Sequence, residues 1–342
     1  MYSITHEGEG IEHVAILRNA QFGTEVRVAV GYGFNAFSFK IPVESGIADI
    51  LYAEEGFPKA GMRATSSGTP ILVPFPNRIE GGKFTYDGKG YSLPLNSQGV
   101  NAIHGFAFDK PWRIIEEKVD ETQASITAEF EMLRDSEFTE DHWPGNFRVR
   151  CRIGLYGKWA SQKFSVKNLS SVRIPFGLGT HPYFRVPMVG DGVPDRCSID
   201  VQADTQVVLD KTIPTGETKP VEESSDLRNS VEIRERSFDD VYTGIGKLGD
   251  VHLHGVVDPD AGCSLSLVHD ENFKYVVVYI PPHRKAVCIE PYTCVTNAVN
   301  LGDSLGADGP PTGLWHLAPG EVREASIQMI PLAYPPKGVA KQ

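Results

Sequence analysis

The sequence predicts an all-β protein, one large antiparallel β-sandwich. Three observations lead there. Apolar residues recur with a period of two over long stretches, turn residues separate the alternating runs, and capped helical patterns are scarce. A period of two puts alternate side chains on opposite faces of a strand, so one face packs inward while the other meets water.

The elements follow in chain order. Lys83-Phe84-Thr85 and Tyr91-Ser92-Leu93 flank Tyr86-Asp87-Gly88-Lys89, the signature of a tight hairpin. From Ala124 to Met132, Ile126, Ala128, Phe130 and Met132 alternate with Ser125, Thr127, Glu129 and Glu131. From Phe147 to Leu155 the odd positions are apolar, and Arg148, Arg150 and Arg152 take the other face. Phe164 and Val166 alternate with Lys163, Ser165 and Lys167. Lys274 to Ile280 is a continuous apolar run ending at Pro281-Pro282, which reads as a strand buried on both faces. The Pro/Gly-rich stretch from Leu305 to Leu314 reads as a surface loop. No linker and no internal repeat divides the chain. Residues 1–334 are therefore expected to form a single domain, with Pro335 to Gln342 as a C-terminal tail.

Composition narrows the function. With 342 residues, 41% of them hydrophobic and 23% charged, the chain can bury a sizeable core. Its formal net charge of −11, with no Lys/Arg-rich run, argues against nucleic acid or an anionic membrane as partner. The N-terminus shows no signal-peptide pattern, and no window is apolar enough for a membrane span. The five cysteines Cys151, Cys197, Cys263, Cys288 and Cys294 lack paired spacing. They read as reduced, buried thiols of a cytoplasmic protein, and their spacing implies no zinc site.

Five polar segments fall among the strands: Pro76-Asn-Arg-Ile79, Ala102-Ile-His-Gly-Phe106, Gly179-Thr-His-Pro-Tyr-Phe184, Phe238-Asp-Asp-Val-Tyr242 and Ile289-Glu-Pro-Tyr292. Each of them alone has a plain structural reading. His104 fits a hydrogen-bonded loop histidine as well as a functional one. Asn77 fits a turn, Arg78 the surface, and Asp239 and Asp240 loop caps. Glu290, placed at the end of the apolar run Ala286 to Ile289, needs a partner or a ligand, and Arg284 would serve as an ordinary salt bridge. His181 lies between Thr180 and Pro182, with Tyr183 and Phe184 as an apolar wall.

Taken in order, these segments resemble the aldose 1-epimerase (galactose mutarotase) family. The resemblance rests on Asn77-Arg78-Ile79, Gly82-Lys-Phe84, Leu93-Pro-Leu-Asn96, His104-Gly105, Pro144-Gly145-Asn146, Asn168-Leu-Ser170, Gly179-Thr-His-Pro-Tyr-Phe184, Asp239-Asp240 and Glu290-Pro291. It implies a single galactose mutarotase-like supersandwich domain and no metal or cofactor. It also implies a small-molecule sugar substrate and a monomer or homodimer. By the same resemblance, Glu290 is the base and His181 the acid of catalysis. Arg78, His104 and Asp239 are sugar ligands, with Asn77 a further candidate. The expected reaction is interconversion of the α and β anomers of a free aldohexose. A charged sugar, a hexose 6-phosphate or sulfosugar, is the alternative, with Arg63, Arg185 and Arg284 as candidates for the anionic group. A non-catalytic carbohydrate-binding protein on the same fold is the other alternative. Some positions depart from the family pattern. Val277 stands where members close to the animal enzymes carry a glutamine, and Asp240 where many carry a histidine. The segment Gly105 to Asp109 is shorter than in galactose mutarotases. It is similar to the hexose-6-phosphate epimerase branch, which usually lacks the proline seen at Pro182.

Overall fold

The computed structural model describes residues 1–190, 193–234 and 236–334, so the expected tail 335–342 lies outside the described residues. Every pairing between its strands is antiparallel. Among the described residues the strands form two large sheets, a five-stranded sheet and three small two-stranded ones. The ten-stranded sheet runs from Arg113–Val119 through Ala124–Glu131, Phe147–Tyr156 and Trp159–Asn168 to Val322–Ala333. It continues through Cys263–Asp270, Val251–Asp258 and Ser198–Val201. The eight-stranded sheet has the order Ile213–Pro220, Ala203–Asp210, Asp239–Ile245, Tyr275–Tyr279, Ala286–Tyr292, Gly179–Thr180 and Ile71–Leu72. Tyr183–Arg185 also pairs with Ala286–Tyr292.

The alternation read from the sequence is the alternation of the packing. Ile126, Ala128, Phe130, Phe147, Val149 and Phe164 of the first sheet share one buried cluster with Val276, Val278, Val287 and Ile289 of the second. The opposite face of Ala124–Glu131 is less wet than its composition suggests, with Glu129 only 7% exposed. Arg113 and Arg150 hold its two carboxylate oxygens at 2.8 and 2.9 Å, so a buried charge is matched by planar donors. Lys83–Tyr86 and Lys89–Ser92 form the expected hairpin, with Asp87 and Gly88 at φ 45° and 80°.

The five-stranded sheet, Tyr2–Glu7 to Gly46–Asp49, is an addition to the expected architecture. Its second strand, Val14–Asn19, does not alternate in composition because both of its faces are buried. Ala15 and Leu17 join the main core, whereas Val14 and Ile16 pack with Phe37 and Phe57 in a separate cluster.

Candidate active site

Strand register explains how residues far apart in sequence meet. Asp239 pairs with Tyr279, Tyr279 with Cys288, and Cys288 with Tyr183, which makes one row across the sheet. Val241, Val277 and Glu290 make the next row. Tyr275, Tyr292 and Gly179 make the third. Since side chains two residues apart share a face, Asp239, Val277, Tyr279, Glu290 and Tyr292 all point to one side. The alternate residues Val276, Val278 and Ile289 point into the main core. Asp240 is likewise out of phase with Asp239, and Gln206 donates to it at 2.8 Å.

Glu290 is not at a strand end, as the sequence suggested. The strand runs from Ala286 to Tyr292, because Pro291 still pairs with Val276 and Tyr292 pairs with both Tyr275 and Gly179. Arg284 is not its partner either. That side chain donates to Asp195 at 2.6 Å and to the carbonyls of Arg236 and Ile233. Glu290 is instead bonded by its own strand: the Tyr292 hydroxyl donates to Oε2. On its other side, His181 Nε2 lies 3.4 Å from Oε1.

His181 is set by the sheet and by stacking. Its N–H donates to the Pro70 carbonyl at 3.1 Å, and its ring lies parallel to that of Tyr183, centroids 4.6 Å apart. Tyr183 is itself anchored, its hydroxyl donating to the Thr65 carbonyl at 2.7 Å. Gly179 makes room for this arrangement. A Cβ there would fall 2.5 Å from Tyr292 Cδ1 and 2.6 Å from Pro76 Cβ.

Two loops supply the facing wall. Asn77 and His104 both have left-handed backbones, φ 56° and 69°, and His104 N–H donates to the Asn77 carbonyl at 2.9 Å. Such conformations cost a non-glycine residue roughly 1–3 kcal/mol, and they persist where surrounding structure enforces them. Gly105 follows with φ 74°, and a Cβ there would lie 2.0 Å from the Val73 carbonyl oxygen. Asn96 clamps the strand before His104. It accepts from Ile103 N–H at 2.7 Å and donates to the Ile103 carbonyl at 3.0 Å. The Asn77 side-chain oxygen accepts from Arg78 Nη1 at 2.9 Å, which makes Asn77 a positioning residue for the guanidinium.

All six expected site residues, Asn77, Arg78, His104, His181, Asp239 and Glu290, line one pocket. Sequence reasoning assigned no site role to Tyr279, His283, Thr65 or Asn96, which also line it. Only the two-residue spacing of Glu290 and Tyr292, which puts both on one strand face, could have pointed to Tyr292 as a carboxylate partner. Phe106 and Phe184 are core residues. Of the three arginines considered for an anionic group, only Arg63 lines this pocket; Arg185 lies over the ring of Tyr52.

Burial dominates the electrostatics. It raises Glu290 well above the usual carboxylate range; the Tyr292 hydrogen bond and Arg78 oppose it, while Asp239 adds to it. Burial pushes His181 down to about 3, with Arg63 and Arg78 adding to the effect. His104 moves down through burial, then through His181, Arg78 and Arg63. Burial raises Asp239, and Arg78 opposes the rise. The Nδ1 atoms of His104 and His181 are buried without a hydrogen-bond partner among the described residues, as polar groups at functional sites often are. A proton acceptor and a proton donor thus stand side by side, ringed by hydrogen-bonding groups that suit vicinal hydroxyls.

The chain is 25% identical over 243 residues to the uncharacterized protein YihR of Escherichia coli (strain K12), covering 69% of this chain and 72% of that one. It is 32% identical to galactose mutarotase of Rattus norvegicus over 52% of this chain and 47% of that one, so the match spans about half of the mammalian protein. A galactose mutarotase-like protein from Clostridium acetobutylicum superposes with a TM-score of 0.87 at 23% identity, covering 97% of this chain and 99% of that one. Galactose 1-epimerase from Lactobacillus acidophilus NCFM superposes with a TM-score of 0.74 at 15% identity, over 97% and 99%. These two structures establish a shared fold. The family model for aldose 1-epimerase matches residues 37–329, which contain every strand of the pocket, and the chain belongs to that family.

Proposed function

We propose that this chain is a mutarotase for a free aldohexose, with Glu290 as general base and His181 as general acid. The observation that carries the reading is the buried pair itself: Glu290 Oε1 and His181 Nε2, 3.4 Å apart, at the base of a pocket lined by Arg78, His104 and Asp239. Opening a cyclic hemiacetal takes a proton from the C1 hydroxyl and gives one to the ring oxygen. Both oxygens are bonded to C1, so a base and an acid must lie within one carbon's reach. Rotation about C1–C2 and closure on the other face produce the second anomer. Each positioned proton transfer contributes about 10²–10⁴ in rate.

The pair's electrostatics fit this cycle. Before ring opening the pair is a carboxylate and an imidazolium; afterwards it is a carboxylic acid and a neutral imidazole. Both forms hold the same number of protons. Burial favours the second form, since it raises Glu290 and lowers His181. It therefore makes Glu290 a stronger proton acceptor and protonated His181 a stronger donor in the ring-opening direction. Reclosure returns both protons. Arg78, His104 and Asp239 hold the hydroxyls while the chain is open. A carbohydrate-binding module would not need an acid and a base in contact, which favours the enzyme.

One observation favours a second substrate class. Arg63 lines the pocket, its Nε donates only to Thr65 Oγ1 at 3.2 Å, and no carboxylate lies within ion-pair distance of it among the described residues. That guanidinium suits a phosphate or sulfonate on the sugar. The test is polarimetry of freshly dissolved α-D-glucose and α-D-galactose, with glucose 6-phosphate followed by exchange NMR. Faster equilibration of the free sugars supports the first reading. Acceleration of the phosphorylated sugar alone, lost by about tenfold or more in Arg63→Gln, supports the second. No acceleration of any of them contradicts both.

A further inference from the structure

We propose that His181, Cys288 and Glu290 form a capture site for a borderline or soft divalent cation, such as Zn²⁺ or Co²⁺, and that the bound cation blocks the pocket. Among the described residues these three are the only group whose metal-ligating atoms converge, all within 4.8 Å of one another. They are 6%, 0% and 1% exposed. Cys288 and Glu290 share a strand face, two residues apart, and His181 reaches them from the neighbouring strand segment. Cysteine spacing therefore gave no hint of the site, because its ligands come from two strands.

The geometry suits a tetrahedral ion. With metal–nitrogen and metal–oxygen bonds of about 2.0–2.2 Å, two ligand atoms on a tetrahedron's edge lie about 3.4 Å apart. His181 Nε2 and Glu290 Oε1 are already 3.4 Å apart. The Cys288 thiol makes no hydrogen bond among the described residues, so it is free to turn toward the third corner. The other oxygen of Glu290 keeps the Tyr292 hydroxyl, a partner of the kind that orients a metal-bound carboxylate. Glu290 and His181 face the pocket, so the fourth position opens to water or a sugar oxygen. Imidazole and thiolate select zinc or cobalt over magnesium and calcium, which demand oxygen ligands. Binding releases the thiol proton and any proton held on the carboxylate or on Nε2, so affinity rises with pH. The cation takes the same lone pairs that proton transfer uses. Inhibition thus rests on the proposed mutarotase reading, whereas cation binding does not.

The experiment is titration of the full chain with Co²⁺ under anaerobic conditions, read by absorption, with Zn²⁺ as competitor and anomer exchange measured in parallel. The expected result is a thiolate-to-cobalt charge-transfer band, displaced by Zn²⁺, with Zn²⁺ slowing exchange competitively with sugar. In Cys288→Ser the band should vanish and the inhibiting Zn²⁺ concentration should rise by at least ~10-fold, since even outer partners of a metal site contribute that much. Metal-free exchange should stay close to wild type. Cys151, Cys197, Cys263 and Cys294 are buried outside any such group, so a thiolate band reports Cys288. A cobalt complex without that band overturns the proposal, as does a Cys288→Ser protein equally sensitive to Zn²⁺. If the serine variant does not fold, Cys288→Ala and the wild-type cobalt spectrum decide. A band in a protein with no anomer exchange would uphold the site and reject the mutarotase reading.

Discussion

Tyr292→Phe isolates the one side-chain hydrogen bond that Glu290 accepts among the described residues. The substitution removes a hydroxyl that donates to Oε2 and leaves the ring, which is fully buried, in place. A hydrogen bond to a charged group is worth about 1.5–3 kcal/mol. It favours the carboxylate, so its loss raises the Glu290 pKa further. At 1.36 kcal/mol per unit, the rise is about 1–2 units. Ring opening starts from the carboxylate–imidazolium form, which holds as many protons as the neutral pair, so the rise lowers kcat/KM below the Glu290 pKa by about 10–100-fold and moves the alkaline limb to higher pH by the same amount. The assay is anomer exchange of the preferred sugar from pH 5 to 9 in both proteins, with circular dichroism as a folding control. On the alkaline side the two rates should converge. A plateau rate and an alkaline limb both unchanged from wild type in a folded variant would refute Glu290 as the base.

Other outcomes follow from packing and charge. Gly179→Ala should cost about 1–3 kcal/mol in stability through overpacking against Tyr292 and Pro76, and should slow turnover by displacing Tyr292; urea denaturation and the exchange assay measure the two. Acid should destabilise the fold through buried His254, whose Nε2 lies 3.0 Å from His269 Nε2 and which burial holds at about 3. Its folded pKa is lower than its unfolded one, so this stability is complete above about pH 6.5 and is lost as pH falls toward 3. At pH 5 the His254 share of the loss is about 2 kcal/mol, and urea midpoints at pH 7 and pH 5 should differ less in His254→Gln than in wild type.

Much of the fold was legible because burial on one face leaves an alternating record. Phe147–Tyr156 and Trp159–Asn168 carry that record plainly, and Asp87-Gly88 carries the turn between two short strands. Val14–Asn19 leaves no such trace, since both of its faces are covered. The site was legible as residue types: the six expected side chains do meet in one pocket. Their assembly was not legible, because it depends on register between strands remote in sequence. Only pairing of Tyr279 with Cys288 and of Val277 with Glu290 brings Asp239, Cys288 and Glu290 to one surface. The positioning roles of Asn96 and Tyr292 were hidden for a related reason. Asn96 acts through Ile103, and Tyr292 reads from sequence as one more aromatic at the end of an apolar run.

The central claim is that Glu290 and His181 move the two protons of anomer exchange. Its most direct test is two-dimensional exchange NMR on equilibrated sugar, comparing wild type with Glu290→Gln and His181→Asn. Cross-peaks between the α and β C1 protons should appear with wild-type enzyme and weaken by about 10²–10⁴ in rate in each variant, with fold and sugar binding retained. Anomer exchange at the wild-type rate in a folded Glu290→Gln protein would contradict the account.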